Sequence, residues 1–319
     1  MDGNSDPRPS APNEMDDMNR IKMNEANSTD ILKMNKSQNP EIIDLHHLNP
    51  ALTEIPLIDY SKVRELYLFR NKISVIDFPP SPTVSKESEY KDKEHEESQY
   101  QEMEILDLSD NKIKEATDLS KLKNLRTLDL SFNLLESVPD SHWLPSNISE
   151  LYLHCNDICD SYEACRSCES NSISSNNSIN SNSNTSERRE YVIDSPTLKK
   201  LDLASNSLHH IPTLLTPLLE ELYISSNHLV SLPGELKNLE NLRILGVENN
   251  HFTHLDCADL PVSIDSLILS DNSGLVEIRN VHLLENLRYL DVEHTRICEG
   301  DRLFGDLKGV EVLYKPVVD

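Results

Sequence analysis

The pattern Leu-x-Leu-x-x-Asn-x-Leu recurs along most of this 319-residue chain, with Ile or Val at some of the apolar positions. Uninterrupted copies follow one another at intervals of 21 to 23 residues. A period of this length is typical of a solenoid, in which one unit cannot bury its own apolar residues and must stack on the next. The polar position of the nine copies is occupied by Asn71, Asn111, Asn133, Asn156, Asn206, Asn227, Asn250, Asn272 and, in the last copy, Thr295.

Each copy predicts one short strand of a parallel sheet, with both leucines pointing inward and the residue between them pointing outward. The Asn follows where the chain turns, and its amide can donate to and accept from the backbone of adjacent turns. The pattern is identified as a leucine-rich repeat, which implies an α/β solenoid with a concave sheet face and an irregular or short-helical convex face. An irregular first repeat beginning at Ile43-Leu45-Leu48 and a closing strand at Val310-x-Val312 bring the sheet to about eleven strands.

Two segments interrupt the period, and both are poor in the apolar residues needed for a core. Residues 79–101 are acidic, and residues 161–190 contain a Ser/Asn-rich tract. We expect both to be flexible insertions on the convex side. Residues 1–40 are polar and Asn-rich, which predicts a disordered segment apart from a frayed helix at about Met15–Ala26. The repeat domain is therefore expected to cover residues 41–319.

The charge balance restricts the possible partners. The chain has 30 Lys and Arg against 55 Asp and Glu, a formal net charge of −25. Phosphates of nucleic acid and anionic membranes are bound by clustered cations, so neither is an expected partner. The first residues lack the basic and apolar regions of a secretion signal, which favours an intracellular protein with reduced cysteines, in the cytoplasm, the nucleus or both. We expect it to be monomeric on its own.

Solenoids of this kind bind through the concave face, where the outward residues are readable for every repeat. Tyrosines and carboxylates dominate these positions, and Tyr is enriched at protein interfaces. The expected partner is a protein with a basic or mixed surface, since like charges repel. The predicted partner-binding residues are Tyr67, Phe69, Asp107, Asp129, Phe132, Tyr152, His154, Asp202, Tyr223 and Asp291.

Chemical alternatives to binding find little support in the sequence. Nucleotide-binding, nucleophile-elbow and metalloprotease motifs are missing, and only seven glycines are present, so we expect neither an enzyme nor a cofactor. The cysteines allow one alternative, a zinc site, because four thiols lie close together in sequence beside His154. Their spacing matches no standard zinc module, and Cys257 and Cys298 are interpreted as buried repeat positions. The four thiols belong to Cys155, Cys159, Cys165 and Cys168.

The segments ELYLFRNKISVID and EELYISSNHLVSL resemble the leucine-rich repeat regulatory subunit of type 1 Ser/Thr protein phosphatase. The resemblance covers residues 60–158 and 195–300. It implies a non-catalytic subunit that resides in the nucleus and cytoplasm and holds a phosphatase catalytic subunit on its concave face. The segments LPSNISELYL and LPVSIDSLIL follow the rhythm of other leucine-rich classes, including scaffolds that bind small GTPases, which is the alternative.

Overall fold

The apolar positions of each repeat form a short strand, and successive strands lie side by side. The structure is a computed structural model that describes residues 20–22, 40–78, 100–161, 189–298, 305 and 307–317. Within these ranges the strands are β1 (Arg20–Lys22), β2 (Ile42–Asp44), β3 (Glu65–Tyr67), β4 (Ile105–Asp107), β5 (Thr127–Asp129), β6 (Glu150–Tyr152), β7 (Val192–Asp194), β8 (Lys200–Asp202), β9 (Thr213–Leu215), β10 (Glu221–Tyr223), β11 (Ile244–Gly246), β12 (His254–Asp256), β13 (Ser266–Ile268), β14 (Glu277–Arg279), β15 (Tyr289–Asp291) and β16 (Glu311–Leu313).

Twelve of the described strands form one parallel sheet, in the order β1-β2-β3-β4-β5-β6-β8-β10-β11-β13-β15-β16. Equivalent repeat positions are paired between neighbours, as Leu66 is with Leu106 and Leu106 with Leu128. The other described strands form two-stranded sheets, β7 with β9 and β12 with β14, in the connecting segments. The predicted leucine-rich repeat solenoid is confirmed. The connecting segments also contain the 3-10 helices Ser141–Trp143, Gly234–Asn238, Cys257–Asp259 and Val281–Leu283.

A single core runs along the inner side of the main sheet. From β3 to β15 the middle residue of every main-sheet strand is buried, as is the apolar residue two positions later. Leu128 and Leu130, for example, are both completely buried. The residue between them points the other way, because side chains alternate along a strand. The concave face consists of these outward side chains together with the residues that follow each strand up to the repeat asparagine.

The repeat asparagines connect neighbouring turns, as the sequence predicts. Asn111 Nδ2 donates to the carbonyl oxygens of Leu68 and Leu108, at 3.0 Å each. Its Oδ1 accepts from the backbone N–H of Ile73 at 3.0 Å. Every repeat asparagine is buried and makes bonds of this kind, so their structural role is confirmed. In the last repeat Thr295 donates only to Val292 O, within its own turn.

The first predicted insertion is shorter than its proposed boundaries of 79–101. Tyr100 is only 4% exposed and forms an aromatic cluster with Tyr60 and Phe78, at ring-centroid distances of 5.6 and 5.2 Å. The sequence interpretation missed it because an isolated aromatic in an acidic segment carries no period. Residues 79–99 of the first insertion and residues 162–188 of the second lie outside the described residues.

Two further expectations need correction. A strand, β1, pairs with β2 where a frayed helix is predicted, and it raises the count from about eleven strands to twelve among the described residues. The remainder of the 1–40 segment lies outside those residues, so its predicted disorder stays a prediction. Cys298 is exposed rather than buried, because it follows the last core residue of the last repeat, Ile297. Cys257 is buried, as predicted.

Candidate protein-binding face

The outward residues of successive strands form one continuous row along the concave face. Pairing places Tyr67 beside Asp107, Asp107 beside Asp129, and Asp129 beside Tyr152. The row continues through Asp202 and Tyr223, although β7 lies between β6 and β8 in sequence. The structure thus brings six of the predicted residues together. Asp291 lies further along the row, separated from Tyr223 by Gly246 and Ile268.

The carboxylates of this row also accept hydrogen bonds from the backbone two residues further on, which the sequence interpretation missed. Asp129 Oδ1 accepts from Ser131 N at 2.8 Å and from Ser131 Oγ at 2.6 Å. Asp107 makes the same pair of bonds with Ser109. Asp202 and Asp291 each accept the backbone N–H two residues further on. Such side-chain bonds to the i+2 amide are characteristic of Asp at turns, so part of the acidity of the face has a structural cause.

The tyrosines of the row are oriented by neighbouring glutamates. Tyr152 Oη donates to Glu150 Oε2 at 3.0 Å, and Tyr223 Oη donates to Glu221 Oε2 at 3.2 Å. Burial, followed by the charge of the adjacent glutamate, raises the pKa of both phenols. Both tyrosines therefore remain neutral hydrogen-bonding groups over the whole physiological range.

Lys200 on β8 lies between these two tyrosines. Its Nζ is 5.6 Å from the ring centroid of Tyr152 and 5.4 Å from that of Tyr223. The same ammonium lies 3.1 Å from Glu221 Oε2. Cation–π contacts form within about 6 Å of the ring centroid, so both rings contribute to holding this lysine. The sequence interpretation missed Lys200 because Tyr152 and Lys200 are separated by the second insertion.

Tyr223 also depends on the glycine beside it. A Cβ at Gly246 would lie 3.0 Å from Tyr223 Cδ1 and 3.1 Å from Glu248 Oε2. The missing side chain therefore leaves the space that the tyrosine ring and the glutamate occupy. Burial raises the pKa of Glu248, with a smaller effect from nearby Asp291.

His154 and Phe132 extend the central part of the face toward the ends of the strands. His154 Nδ1 lies 3.2 Å from Asp202 Oδ2, and this contact raises the pKa of the imidazole despite partial burial. The Phe132 ring meets the His154 ring edge-on, with centroids 5.1 Å apart. Tyr152 shares a strand and turn with His154. Five predicted residues and Lys200 form the central cluster, defined as Phe132, Tyr152, His154, Lys200, Asp202 and Tyr223.

The start of the face has a separate aromatic contact. The Phe69 ring stacks on His46 with centroids 4.5 Å apart, and His46 Nδ1 hydrogen-bonds Asp44 Oδ1. Burial raises the pKa of Asp107, and the charges of Asp129 and of buried Asp44 add smaller effects in the same direction. The sequence interpretation missed Asp44 and His46 because β2 belongs to the irregular first repeat.

Two of the four cysteines of the predicted zinc alternative belong to the described residues. Cys155 is partly exposed and Cys159 is buried, whereas Cys165 and Cys168 lie outside the described residues. Among the described residues, no three or more His, Cys, Asp or Glu side chains are arranged to hold a metal ion. No helix in the described part of the chain has the length and apolarity needed to cross a membrane.

Comparison with protein families identifies the repeats. Residues 101–146 match the family model described as leucine-rich repeats in two copies, and residues 218–239 match the model described as the leucine-rich repeat. The chain is therefore a leucine-rich repeat protein. The comparisons indicate no catalytic family, and they give no support to the phosphatase regulatory subunit or to a small-GTPase scaffold in particular.

Similar proteins share the repeats over part of their length. Tsukushi of Xenopus tropicalis is 32% identical over 158 residues, which are 49% of this chain and 43% of Tsukushi. This chain thus spans less than half the length of that relative.

Two solved structures show the same fold at low identity. YopM from Yersinia enterocolitica WA-314 has a TM-score of 0.53 at 22% identity, covering 81% of this chain and 43% of YopM. A chain of the octameric complex of Latrophilin 3, Unc5D and FLRT2, whose FLRT2 component is the leucine-rich repeat part, has a TM-score of 0.51 at 22% identity. That match covers 90% of this chain and 78% of the other. Such identities establish a shared fold alone.

Proposed function

We propose that this chain is a non-catalytic scaffold that binds a protein partner on its concave face, through the central cluster. The observation that carries the proposal is the cluster itself, in which Tyr152, Tyr223 and Phe132 accompany charged groups on an open sheet surface. Aromatic residues are enriched where protein interfaces form, because they bury a large area at small entropic cost.

The charge of the face supports a partner with a basic or mixed surface. Lys200 and His154 are each engaged by a carboxylate of the face, at 3.1 and 3.2 Å. Complementary charge accelerates association and excludes partners of like charge. The acidic side chains of the face include Glu65, Asp107, Asp110, Asp129, Glu150, Asp202, Glu221, Glu248, Asp271, Asp291 and Glu293.

In its specific form, the proposal is that the partner is the catalytic subunit of a type 1 Ser/Thr protein phosphatase. The support is the resemblance of the ELYL-type repeats, whose Glu–Tyr pairs the structure shows to be joined on the face. The scaffold would occlude or redirect the catalytic subunit and carry out no chemistry of its own.

The test is calorimetric titration of the full chain with a purified type 1 phosphatase catalytic subunit. Wild type is compared with the double variant Tyr152→Ala/Tyr223→Ala, whose folding is checked by circular dichroism. Trp143→Ala is the matched control, since Trp143 is an exposed aromatic of a connecting segment. We expect binding by wild type and control and its loss in the double variant. Undiminished binding by the folded double variant would refute the site, and no binding by wild type would refute the phosphatase.

We also propose an intracellular location, in the cytoplasm, the nucleus or both. Cys155, Cys159, Cys257 and Cys298 are thiols among the described residues, and a reducing compartment would keep them in that form. Imaging a fluorescent fusion in intact cells tests this location. Recovery of the fusion from the culture medium would contradict it.

A further inference from the structure

A left-handed residue ends the concave side of each regular repeat. It immediately precedes the repeat asparagine or Thr295, and its φ lies between 51° and 57°. This conformation is unfavourable for most residues, whereas Asn and Asp tolerate it because their short polar side chains bond locally. These residues form the rim of the face, namely Arg70, Asp110, Phe132, Cys155, Ser205, Ser226, Asn249, Asp271 and His294.

Phe132 is the rim residue whose type fits this backbone least. Its φ is 52°, and 53% of its surface is exposed, so the strain is not offset by full burial of the ring. The repeat's own hydrogen bond at this position uses the backbone alone, because Phe132 N donates to His154 O at 2.9 Å and the equivalent bond of Asp110 N to Ser131 O is made without an aromatic. Strained, exposed residues concentrate at binding sites, where the strain is retained for function.

The groups next to Phe132 indicate which chemistry the ring would meet. Asp110 occupies the rim position of the preceding repeat, so its backbone lies about 4.8 Å away along the sheet. Its carboxylate is exposed, and Arg70 on the other side already places Nε 3.6 Å from Asp110 Oδ2. The Phe132 ring belongs to the next repeat, so a partner guanidinium that pairs with Asp110 is about one strand spacing from the backbone that carries this ring. On the same face, Lys200 combines a ring and a carboxylate in this way.

We propose that Phe132 and Asp110 form a subsite that receives an arginine side chain from an extended segment of the protein partner. The guanidinium stacks on the Phe132 ring and pairs with the Asp110 carboxylate. Arginine fits better than lysine, because its planar, weakly hydrated cation stacks on aromatic faces and pairs with carboxylates through several donors. This inference rests on the proposed scaffold function and deepens it, since it names the chemistry of the partner.

The test measures the affinity of the full chain for acetylated, amidated tetra-arginine and tetra-lysine peptides of equal charge. Wild type is expected to prefer tetra-arginine. Phe132→Asn, which alters no charge, should weaken tetra-arginine binding about fivefold and abolish the preference. Phe132→Tyr keeps an aromatic ring and should therefore retain the preference for tetra-arginine. Ser205→Asn lies at the same rim position two repeats away and should leave the preference for tetra-arginine unchanged.

Thermal unfolding of the same variants separates a binding role from a structural one. Because Asn suits the left-handed backbone, Phe132→Asn should raise the melting temperature by about 2 °C while binding falls. A lower melting temperature would mean that the ring stabilises the fold, and would overturn the inference. So would equal binding of both peptides by wild type, or an arginine preference that survives Phe132→Asn.

The outcomes are distinguishable from those of the phosphatase experiment. A Phe132-dependent arginine preference without phosphatase binding would retain the subsite and reject that partner. Phosphatase binding that requires Tyr152 and Tyr223, together with no arginine preference, would retain the scaffold and reject the subsite.

Discussion

Removing one asparagine from the middle of the stack should destabilise the protein by an amount that its hydrogen bonds allow us to estimate. Asn133 Nδ2 donates to Leu108 O at 3.0 Å and to Leu130 O at 3.1 Å, and its Oδ1 accepts from Ile113 N at 2.9 Å. A fourth bond runs from Asn133 Nδ2 to Ser131 O at 3.0 Å, and the substitution Asn133→Ala deletes all four in a buried position.

None of the three carbonyls loses every partner, which limits the cost, and Ser131 O still accepts from Asp110 N at 3.0 Å. Leu108 O also accepts from Asn111 Nδ2, and Leu130 O also accepts from Asn156 Nδ2, both at 3.0 Å. Ile113 N therefore carries most of the penalty as a buried donor without its acceptor, about 1–3 kcal/mol. With the weakened carbonyl bonds added, we expect Asn133→Ala to lower the free energy of unfolding by about 2–4 kcal/mol.

The assay is urea unfolding followed by far-ultraviolet circular dichroism, with the midpoint and slope both fitted. Asn241→Ala is the control, because exposed Asn241 donates one bond, to Pro217 O at 2.8 Å, and water can replace it. We expect a loss below about 1 kcal/mol for this control. Equal losses in the two variants would refute the reasoning that burial and the orphaned N–H determine the cost.

A charged substitution at the same position gives a second test of these hydrogen bonds. Asn133→Asp keeps an acceptor for Ile113 N but places a carboxylate against the carbonyls of Leu108 and Leu130. Burial and those carbonyls should raise the pKa of the new carboxyl in the folded state. Its destabilisation is therefore greatest above the raised folded pKa, is relieved as the pH falls through that pKa, and is gone below the unfolded pKa of about 3.9. Stability independent of pH would contradict this.

Three further predictions concern single groups. NMR titration of the His154 imidazole should find its pKa above about 6.5, and Asp202→Asn should lower that pKa. The pair stabilises the fold below the unfolded pKa of His154, and this contribution is lost as the pH rises through the folded pKa. An unchanged His154 titration in the variant would refute the pairing. Tyr60→Phe removes the donor to Pro56 O at 2.6 Å and should lower the free energy of unfolding by about 1–2 kcal/mol in urea titrations, a neutral result contradicting the bond. Burial raises the pKa of Cys257 to about 12, so peptide mapping after native iodoacetamide treatment should find this thiol unmodified, and rapid labelling would count against its burial.

The repeat made most of the fold predictable, because its period assigns every inward leucine and every asparagine. The outward row was predictable for the same reason, since alternation along a strand needs no further information. The start of the chain was not, because β1 has too few residues to show a period. The position of Tyr100 in the core could not be predicted either, because its neighbours Tyr60 and Phe78 come close to it only in the folded state.

The composition of the face was predictable and its internal bonding was not. Residue type alone cannot show that Asp129 is engaged with Ser131, or that Lys200 is shared by two tyrosines on different strands. The left-handed backbone at Phe132 is also hidden, because Phe is a residue that disfavours it and only the register of the repeat imposes it.

The asparagine bonds cross the two breaks in the period as readily as they cross regular turns. Asn206 Nδ2 donates to Leu153 O at 3.0 Å across a separation of 53 positions, and Asn133 Nδ2 donates to Leu108 O at the same distance across a separation of 25. The asparagine bonds therefore hold neighbouring turns together whether the chain between those turns is short or long. A chain severed between residues 161 and 189 should persist as a two-piece complex, and fragments 1–161 and 189–319 should reconstitute it when mixed. Co-elution of the fragments on size exclusion would verify this, and separate elution would disprove it.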